Sequence, residues 1–421
     1  MKKLAIVSSY GELCGNATYT NALAKEFSKH YDVQIQKLDV GLLRRPQSHS
    51  IGNLHLQAIA KELQQFDYAN IQFEAGLFGI DPKKIMRRFK ILAKASKNLI
   101  VTLHRYDLKV NLFSKRMIYD CLRLRFKTVL TQLKHNYGIN VYAQLYSNIV
   151  QYCQKNNASI IVHTKRDKKI IRQAFGFDNV YDHPLTFLAE EDLIVHKKSS
   201  SRENFMQKYH LDKNDIVIGI FGFISPHKGY LTAVKAMKWL PDNYKLLIFG
   251  IQHPLSINPY EEVNEYLQTI MECIENDAHE KRESNTSSET LVNRVKFCGG
   301  LDDDRFIDAL LCCDFTVLPY IEVNQGGSGV ASLVLDSGVP AVFSQTLAFL
   351  ELEKYAKNAF KMFSIGNYLE LANAIQDYDH TASSAGLQQY LSQYNMQTNI
   401  ALHMKLFEDQ EKRTREIKYI T

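Results

Sequence analysis

The stretch LPYIEVNQGGSGVASLVLDSGVPAVFS, Leu318 to Ser344, decides how this sequence folds. Its apolar run Phe315–Tyr320 predicts a strand, and the polar, glycine-rich turn Gln325–Gly329 follows it. Val330–Leu335 predicts a short helix, which a Gly-x-Pro stop ends before a second apolar strand at Ala341–Phe343. A strand that leads through such a turn into a helix is typical of a parallel α/β sheet.

The residues of this turn suit a phosphate group. Glycine allows backbone conformations that are closed to other residues and lets a ligand approach the main chain. The helix that follows presents unpaired N–H groups and a partial positive charge, and Ser328 adds a hydroxyl donor. The turn therefore predicts a phosphate site over Gly326, Gly327, Ser328 and Gly329. The alternative is an ordinary strand–helix connection.

Length and composition indicate a globular protein of two or three domains. The chain has 421 residues, of which 45% are apolar and 23% charged. Its seven cysteines include no Cys-x-x-Cys pair, which favours reduced thiols over a disulfide framework or a zinc site. The start of the chain lacks the long apolar run of a signal peptide, and no run approaches the roughly 20 residues of a membrane span. The sequence therefore predicts a cytoplasmic protein.

Strand and helix patterns alternate along the chain, which predicts parallel sheets covered on both faces. The alternation is interrupted by the polar stretch Val195–Gln207, which we interpret as an interdomain passage. We thus expect an N-terminal α/β domain over residues 1–194 and a C-terminal α/β domain over 208–395. One long helix pattern fills residues 396–421.

Charge is distributed unevenly along the chain. Residues 1–200 contain 31 Lys and Arg against 16 Asp and Glu, whereas residues 201–421 contain 20 against 29. Such asymmetry favours an anionic partner of the first half: a membrane surface, a phosphorylated acceptor or a nucleic acid. Nucleic acid is disfavoured because no binding module is recognised. A basic face that is merely solvated is the other interpretation.

The helix pattern DPKKIMRRFKILAKASK, beginning at Asp81, carries much of this positive charge. Its lysines and arginines favour contact with anionic lipid head groups, which would place the protein at the inner face of a membrane. Alternatively Ile85, Phe89 and Leu92 pack on the sheet and leave the basic residues in solvent.

Other loops at predicted strand ends hold polar residues. In FGFISPHKGY, Lys228 precedes a helix, where it is placed to neutralise a phosphate. In VTLHRYD, His104 and Arg105 end a strand of the basic half, and a histidine there can exchange a hydrogen bond with a substrate hydroxyl. Open parallel sheets bind ligands beyond the carboxyl ends of their strands, so these positions predict a site.

Further polar residues stand in the same kind of position. Gly15 and Asn16 lie in the turn after the first strand, and Glu74 ends another strand. The acids Asp302 to Asp304 directly precede a helix pattern, so we expect helix capping there rather than a metal. No P-loop, dinucleotide fingerprint, HExxH or nucleophile elbow is found.

Taken in order, these motifs resemble the GT-B glycosyltransferases, in particular glycosyltransferase family 4 with its group 1 domain. The resemblance covers nearly the whole chain and rests on the following segments: GELCGNATYTNALA, IQFEAGLFG, VTLHRYD, IIVHTKRD, FGFISPHKG, VKFCGGLDDDRF, DFTVLPY and GSGVASLVLDSGVPAVFS. It implies two Rossmann-like domains facing a cleft, with the C-terminal helix crossing back to the N-terminal domain. The C-terminal domain would hold a nucleotide-diphosphate sugar and the N-terminal domain the acceptor.

The resemblance also implies a reaction and site residues. The sugar would be transferred with retention of configuration, without metal or cofactor, to a glycan, glycolipid or protein-glycan acceptor. The implied catalytic residues are His104, Lys228 and Gln325. The implied donor-binding residues are Gly222, Phe223, Lys228, Glu322, Gln325, Gly326, Gly327, Ser328, Gly329 and Val330. The implied acceptor-side residues are Gly15, Asn16, Glu74 and Arg105.

Three positions depart from the family pattern. Phe223 stands where the family often has an arginine, and Gln325 and Leu333 stand where it often has two glutamates. Glu322 is close enough in sequence to take over a sugar contact. These departures leave a second hypothesis open, a non-catalytic GT-B subunit that binds a glycan or nucleotide. Epimerisation or phosphorolysis on the same fold is a third hypothesis. The acids and histidines that an epimerase needs, and the pyridoxal lysine of a phosphorylase, are not identified in the sequence.

Overall fold

The computed structural model describes residues 1–11, 14–252, 263–284, 287–323 and 326–420. Contacts within the chain divide it into two compact units. The first combines Met1–His183 with Asn399–Thr421, and the second is Pro184–Thr398.

The first unit is built on a six-stranded parallel sheet with the strand order β2-β1-β3-β4-β5-β6. These strands are β1 Lys3–Ser8, β2 Asp32–Lys37, β3 Tyr68–Phe73, β4 Asn98–Leu103, β5 Ser159–Val162 and β6 Val180–Asp182. β3 and β5 are buried along their whole length because helices cover both faces of the sheet.

The helices of the first unit follow the strands in alternation. They are α1 Gly15–Phe27, α2 Val40–Arg44, α3 His49–Leu63, α4 Ala75–Phe78, α5 Pro82–Ala95, α6 Lys115–Leu122, α7 Phe126–Lys155 and α8 Lys165–Phe175. In α5, Asp81 caps the first turn and Pro82 occupies its start. Ile85, Phe89 and Leu92 are fully buried in the core, so this helix packs on the sheet, the second of the two alternatives considered for it.

The second unit contains a second six-stranded parallel sheet, with the order β12-β11-β10-β7-β8-β9. Its strands are β7 Ile216–Phe221, β8 Tyr244–Phe249, β9 Val295–Phe297, β10 Phe315–Leu318, β11 Ala341–Ser344 and β12 Lys361–Phe363. β7 and β10 are neighbours at the centre of the sheet. The chain proceeds from β7 to one side and from β10 to the other, which makes their carboxyl ends the topological switch point.

The helices of the second unit are α9 Glu190–Ser199, α10 Arg202–Lys208, α11 Tyr230–Ala236, α12 Glu265–Glu283, α13 Leu291–Arg294, α14 Asp303–Leu311, α15 Gly329–Ser337, α16 Leu347–Glu353, α17 Tyr368–Gln376 and α18 His380–Gln393. The stretch Val195–Gln207, expected to be a passage between domains, is mostly helical and lies inside this unit. The Ser201 hydroxyl caps α10, and His196 of α9 contacts Asp308 of α14 at 2.9 Å.

The helix α19 Met396–Ile420 ends the described chain and packs on the first unit, as expected. The Gln410 amide donates to the Leu99 carbonyl of β4 at 2.7 Å. Phe407 stacks on Tyr68 of β3 with ring centroids 4.7 Å apart. The predicted class of two Rossmann-like parallel sheets with a returning C-terminal helix is confirmed.

All seven cysteines, each within the described residues, are free thiols. No helix in the described ranges is both long enough and apolar enough to span a bilayer.

Candidate active site

The glycine-rich turn of the second unit ends in a capped helix. The Ser328 hydroxyl accepts a hydrogen bond from the Ala331 N–H at 3.3 Å, so Ser328 is the N-cap of α15. Gly338 ends the helix in the left-handed conformation at φ +81°. The helix thus begins one residue before the predicted range and ends two residues after it, and its first N–H groups lie next to the carboxyl end of β10.

Lys228 lies beside this helix start. It ends a short 3₁₀ turn, Pro226–Lys228, and its Nζ donates to the Tyr320 hydroxyl at 2.5 Å. The Ser328 Oγ lies 3.4 Å from the same hydroxyl. Tyr320 therefore joins the lysine to the N-cap of α15, and the positive charge is held close to the helix start.

Glycines keep the space around this cluster clear. Gly222, directly after β7, has φ +110°, and a Cβ on it would lie 4.0 Å from both Lys228 Cε and Val330 Cγ2. Gly229 has φ +68°, and a Cβ there would lie 1.7 Å from the Pro319 carbonyl oxygen. Gly229 therefore lets the turn that carries Lys228 press against the loop after β10.

Of the other predicted donor residues, Phe223 follows Gly222 and is partly exposed. Gly326 and Gly327 precede Ser328, and a Cβ on Gly327 would lie 3.3 Å from Leu185. Glu322 accepts a hydrogen bond from the Leu347 N–H at 2.6 Å, at the start of α16. Gln325 lies outside the described residues.

The loop at the beginning of the second unit packs along α15. Phe187 lies 3.1 Å from the position of a Cβ on Gly329. The buried Asp336 near the end of α15 accepts hydrogen bonds from the backbone N–H groups of Phe187 and Leu188 at 2.7 and 3.2 Å. The first unit was predicted to extend to residue 194, but these contacts hold the segment after His183 to the second unit.

The predicted acceptor-side residues all lie beyond the carboxyl ends of strands of the first sheet. Gly15 and Asn16 begin α1 after β1, and a Cβ on Gly15 would meet no atom within 4 Å. Glu74 follows β3, and burial raises the pKa of its carboxyl while the charge of Arg105 opposes the rise. Arg105 follows β4 and forms an ion pair of 2.5 Å with Asp107.

His104 is part of a hydrogen-bond network at the same end of the first sheet. Its Nε2 lies 2.8 Å from Gln72 Oε1, and its Nδ1 lies 3.2 Å from Nε2 of His163. The Nδ1 of His163 lies 3.0 Å from the His183 carbonyl oxygen. Tyr19 of α1 packs edge-on against both imidazole rings.

The imidazole rings of His104 and His163 carry too few protons for the three contacts of this hydrogen-bond network. Gln72 Oε1 and the His183 carbonyl both accept, so three contacts need three ring protons and one positive charge. Burial opposes that charge: it lowers the pKa of His163 to about 4 and that of His104 well below its usual value. The pair is therefore neutral at pH 7, with two protons for three contacts. A ligand hydroxyl, which both donates and accepts, can complete this hydrogen-bond network at the partly exposed His104.

Several residues of these clusters were missed in the sequence. Tyr320 lies two residues after the end of β10, and Gln72 and His163 stand at the ends of the strands on either side of β4. Their place at strand ends was a usable signal, because residues after adjacent parallel strands meet at one edge. Asp302 to Asp304 begin α14, where Asp302 caps the helix, as expected. Asp302 also pairs with Arg305. Across the described residues, no three His, Cys, Asp or Glu side chains are grouped closely enough to hold a metal.

Comparisons with known proteins agree with this architecture. Residues 201–400 match the family model described as glycosyl transferases group 1. The crystal structure of Anabaena HepE in complex with UDP and glucose has a TM-score of 0.58 at 16% identity, covering 97% of this chain and 100% of its own. A glycosyltransferase from Rickettsia africae ESF-5 has a TM-score of 0.63 at 13% identity, covering 98% and 99%.

Sucrose-phosphate synthase from Thermosynechococcus elongatus has a TM-score of 0.60 at 14% identity, covering 98% of this chain and 100% of its own. The curated proteins gave no match. The chain has the GT-B fold of these glycosyltransferases. Its residues 201–400 belong to the glycosyl transferases group 1 family, which confirms the resemblance seen in the sequence.

Proposed function

We propose that this chain transfers a hexosyl group from a UDP-sugar to a glycan, glycolipid or protein-glycan acceptor, with retention of configuration and without a metal. The observation that carries the proposal is the cluster of Lys228, Tyr320 and Ser328 at the start of α15. The choice of UDP is supported by HepE, whose crystal structure contains UDP and glucose.

The chemistry proposed for this cluster is electrostatic. When the glycosidic bond breaks, charge develops on the leaving diphosphate. The Lys228 ammonium and the first N–H groups of α15 would stabilise that charge without rearrangement, because Tyr320 and the Ser328 cap already hold them in place. In a front-face reaction the leaving phosphate takes the acceptor proton, so no separate base is needed.

On the first unit, we propose that His104 contacts the transferred sugar and that Gly15, Asn16, Glu74 and Arg105 face the acceptor. The open space over Gly15 would leave the N–H groups of α1 accessible to a polar group. The proton deficit of the His104–His163 pair would be met by a sugar hydroxyl.

Binding and turnover of UDP-glucose, measured without metal, test the proposal. UDP should raise the melting temperature of the wild type, because it binds only the native state. Lys228→Ala should abolish most of that rise and lower the release of UDP from UDP-glucose about 10²- to 10³-fold, the usual cost of one such donor. Lys213→Ala, which removes an exposed lysine of the same unit, is the matched control and should behave like wild type.

The outcomes separate the two hypotheses for this fold. A UDP-dependent rise in melting temperature with no release of UDP from any sugar conjugate would favour the non-catalytic subunit, to which Phe223 and Leu333 point. Equal effects of the Lys228 and Lys213 substitutions would remove Lys228 from the site.

A further inference from the structure

The loop after β4, helix α6 and the first half of α7 form an exposed surface of unusual composition, residues 108–137, here called the apolar–basic surface. Eleven of the 28 exposed large apolar side chains in the described part of the chain lie in these 30 residues. They are Leu108, Val110, Leu112, Phe113, Ile118, Tyr119, Leu122, Leu124, Phe126, Leu130 and Tyr137, exposed by 39% to 79%. A patch of this kind on a protein surface marks an interaction site.

The segment is held in place with these side chains outward. The Asn140 side chain exchanges two hydrogen bonds with the backbone of Val110, at 2.7 and 2.8 Å. The Asn136 amide donates to the carbonyls of Asn111 and Leu112. Side chains of α7 therefore fix the loop by hydrogen bonds to the backbone of the loop, and the apolar side chains of the loop remain in solvent.

Helix α6 shows the same division. Met117 and Asp120 are buried, whereas Ile118, Tyr119 and Leu122 on its other face are at least half exposed. The two halves of α7 also differ: Leu145, Ile149 and other residues of its second half are in the core, whereas Phe126 and Leu130 of its first half are not.

The corner between α6 and α7 alternates apolar and basic residues, Leu122 to Lys127, in the order LRLRFK. Leu124 is 75% exposed and has a φ of +54°, a conformation that costs a non-glycine residue roughly 1–2 kcal/mol. This strained corner directs a leucine into solvent between Arg123 and Arg125.

The charge of the surface is one-sided. Seven basic residues are exposed in it: Lys109, Lys115, Arg116, Arg123, Arg125, Lys127 and Lys134. The one acid of residues 108–137, Asp120, is buried and lies 3.8 Å from Arg125. The surface therefore presents apolar side chains within a field of positive charge.

We propose that the apolar–basic surface docks on an anionic lipid bilayer. Leucine, isoleucine and aromatic side chains enter the boundary between head groups and acyl chains, and lysines and arginines pair with lipid phosphates. A second copy of the chain fits less well, because it would place seven cations against seven others. We therefore assign the membrane contact to the apolar–basic surface and not to α5, because the apolar face of α5 is buried.

The surface directly follows His104 and Arg105 in the chain. If the proposed acceptor role of that region holds, docking would bring a lipid-linked acceptor to the same end of the first sheet. Docking itself does not depend on the reaction, and it is tested without turnover.

Flotation of the full-length protein with vesicles tests the proposal. We expect binding to vesicles of phosphatidylcholine mixed with phosphatidylglycerol and none to phosphatidylcholine alone. The triple variant Arg123→Glu, Arg125→Glu, Lys127→Glu should bind about a hundredfold more weakly. The triple variant Leu122→Ser, Leu124→Ser, Phe126→Ser should also lose binding, because charge alone does not insert into the bilayer.

The matched control is the triple variant Lys83→Glu, Arg87→Glu, Lys90→Glu, which makes the same change of charge on exposed residues of α5. It should bind anionic vesicles much more strongly than the variant of residues 123, 125 and 127. The melting temperature without ligand and the circular dichroism spectrum should match those of the wild type in all variants, which shows that they are folded. Neither measurement uses UDP, so this test stays separate from that of the proposed function.

The proposal is overturned if the wild type ignores anionic vesicles or if the two charge-reversal variants lose binding equally. It is also overturned if the wild type is a dimer that the Leu122, Leu124 and Phe126 substitutions dissociate, since the surface would then be covered by a second copy.

Discussion

Gly229 shows how a single residue sets the position of the candidate phosphate site. The turn that carries Lys228 runs against the loop after β10, where the Ile321 N–H donates to the His227 carbonyl at 2.8 Å. The contact between these two loops leaves no volume for a side chain on Gly229. The distance between Lys228 and Tyr320 therefore depends on the absence of one methyl group.

We predict that Gly229→Ala lowers the free energy of unfolding by about 2–5 kcal/mol, because it adds a steric clash to an unfavourable φ. Gly299→Ala is the control: Gly299 also has a positive φ, +77°, but a Cβ there meets nothing within 4 Å. It should cost about 1–2 kcal/mol from the backbone alone. Urea denaturation followed by circular dichroism measures both. Equal losses would contradict the clash.

The residues of the site differ in how far the sequence predicts them. Lys228 and Ser328 were predicted because each occupies a turn between a strand and a helix. Tyr320, which joins them, was not, because a tyrosine after an apolar strand is equally typical of a core. The partner of His104 was missed for the same reason: a hydrogen bond between His104 and His163 requires the pairing of β4 with β5.

At the scale of elements, α15 links the glycine-rich turn that precedes it to the loop that begins the second unit. Asp336 lies near the carboxyl end of α15, where the negative end of the helix dipole disfavours a negative charge, and its side chain is buried. Thr186, Phe187 and Leu188 compensate by donating hydrogen bonds to it. The Asp336 carboxyl thus holds the loop against α15, whose first turn is part of the candidate phosphate site.

Burial raises the pKa of Asp336 from 3.8 to about 7. Between these values the native state binds more protons than the unfolded state, so the contribution of Asp336 to stability falls as the pH rises. We predict that the wild type loses about 3 kcal/mol of stability from this group between about pH 5 and about pH 8. Asp336→Asn, which cannot ionise, should remove that loss.

Chemical denaturation across this pH range measures the effect. Asp336→Ala is the control for the hydrogen bonds: it leaves several buried donors without their acceptor and should destabilise at every pH, by about 1–3 kcal/mol for each donor. Parallel pH profiles for the wild type and Asp336→Asn would show that Asp336 is already ionised throughout the range.

The order of strands and helices was predicted from periodicity, whereas the partner of each apolar face was not. Ile85, Phe89 and Leu92 have helical spacing whether they contact a sheet or a membrane, and only the tertiary structure buries them. Leu122, Leu124 and Phe126 are also apolar, and only the tertiary structure leaves them exposed.

At the scale of the whole molecule, α19 connects the end of the chain with its beginning. Phe407 is fully buried and stacks on Tyr68, and Glu411 forms hydrogen bonds with Lys2 and with the Tyr68 hydroxyl. The first unit therefore needs residues from both ends of the chain to complete its core.

We predict that Phe407→Ala lowers the stability of the first unit by about 3–5 kcal/mol, the cost of removing a buried aromatic side chain. Hydrogen exchange followed by mass spectrometry should show faster exchange in β1 and β3. Lys405→Ala removes an exposed side chain of the same helix and should leave exchange unchanged. A uniform increase over both units would show that α19 does not stabilise the first unit in particular.

The sequence by itself determined the class of this protein. Hydrophobic periodicity and strand–turn–helix order are local properties, so they predicted parallel sheets, the capped helix after the glycine turn and the last helix. Only the tertiary structure decided which residues meet: Lys228 with Tyr320, His104 with His163, and Asp336 with the loop after His183. It also decided that the apolar residues of α5 are buried and those of α6 exposed, because burial depends on packing between segments far apart in the chain.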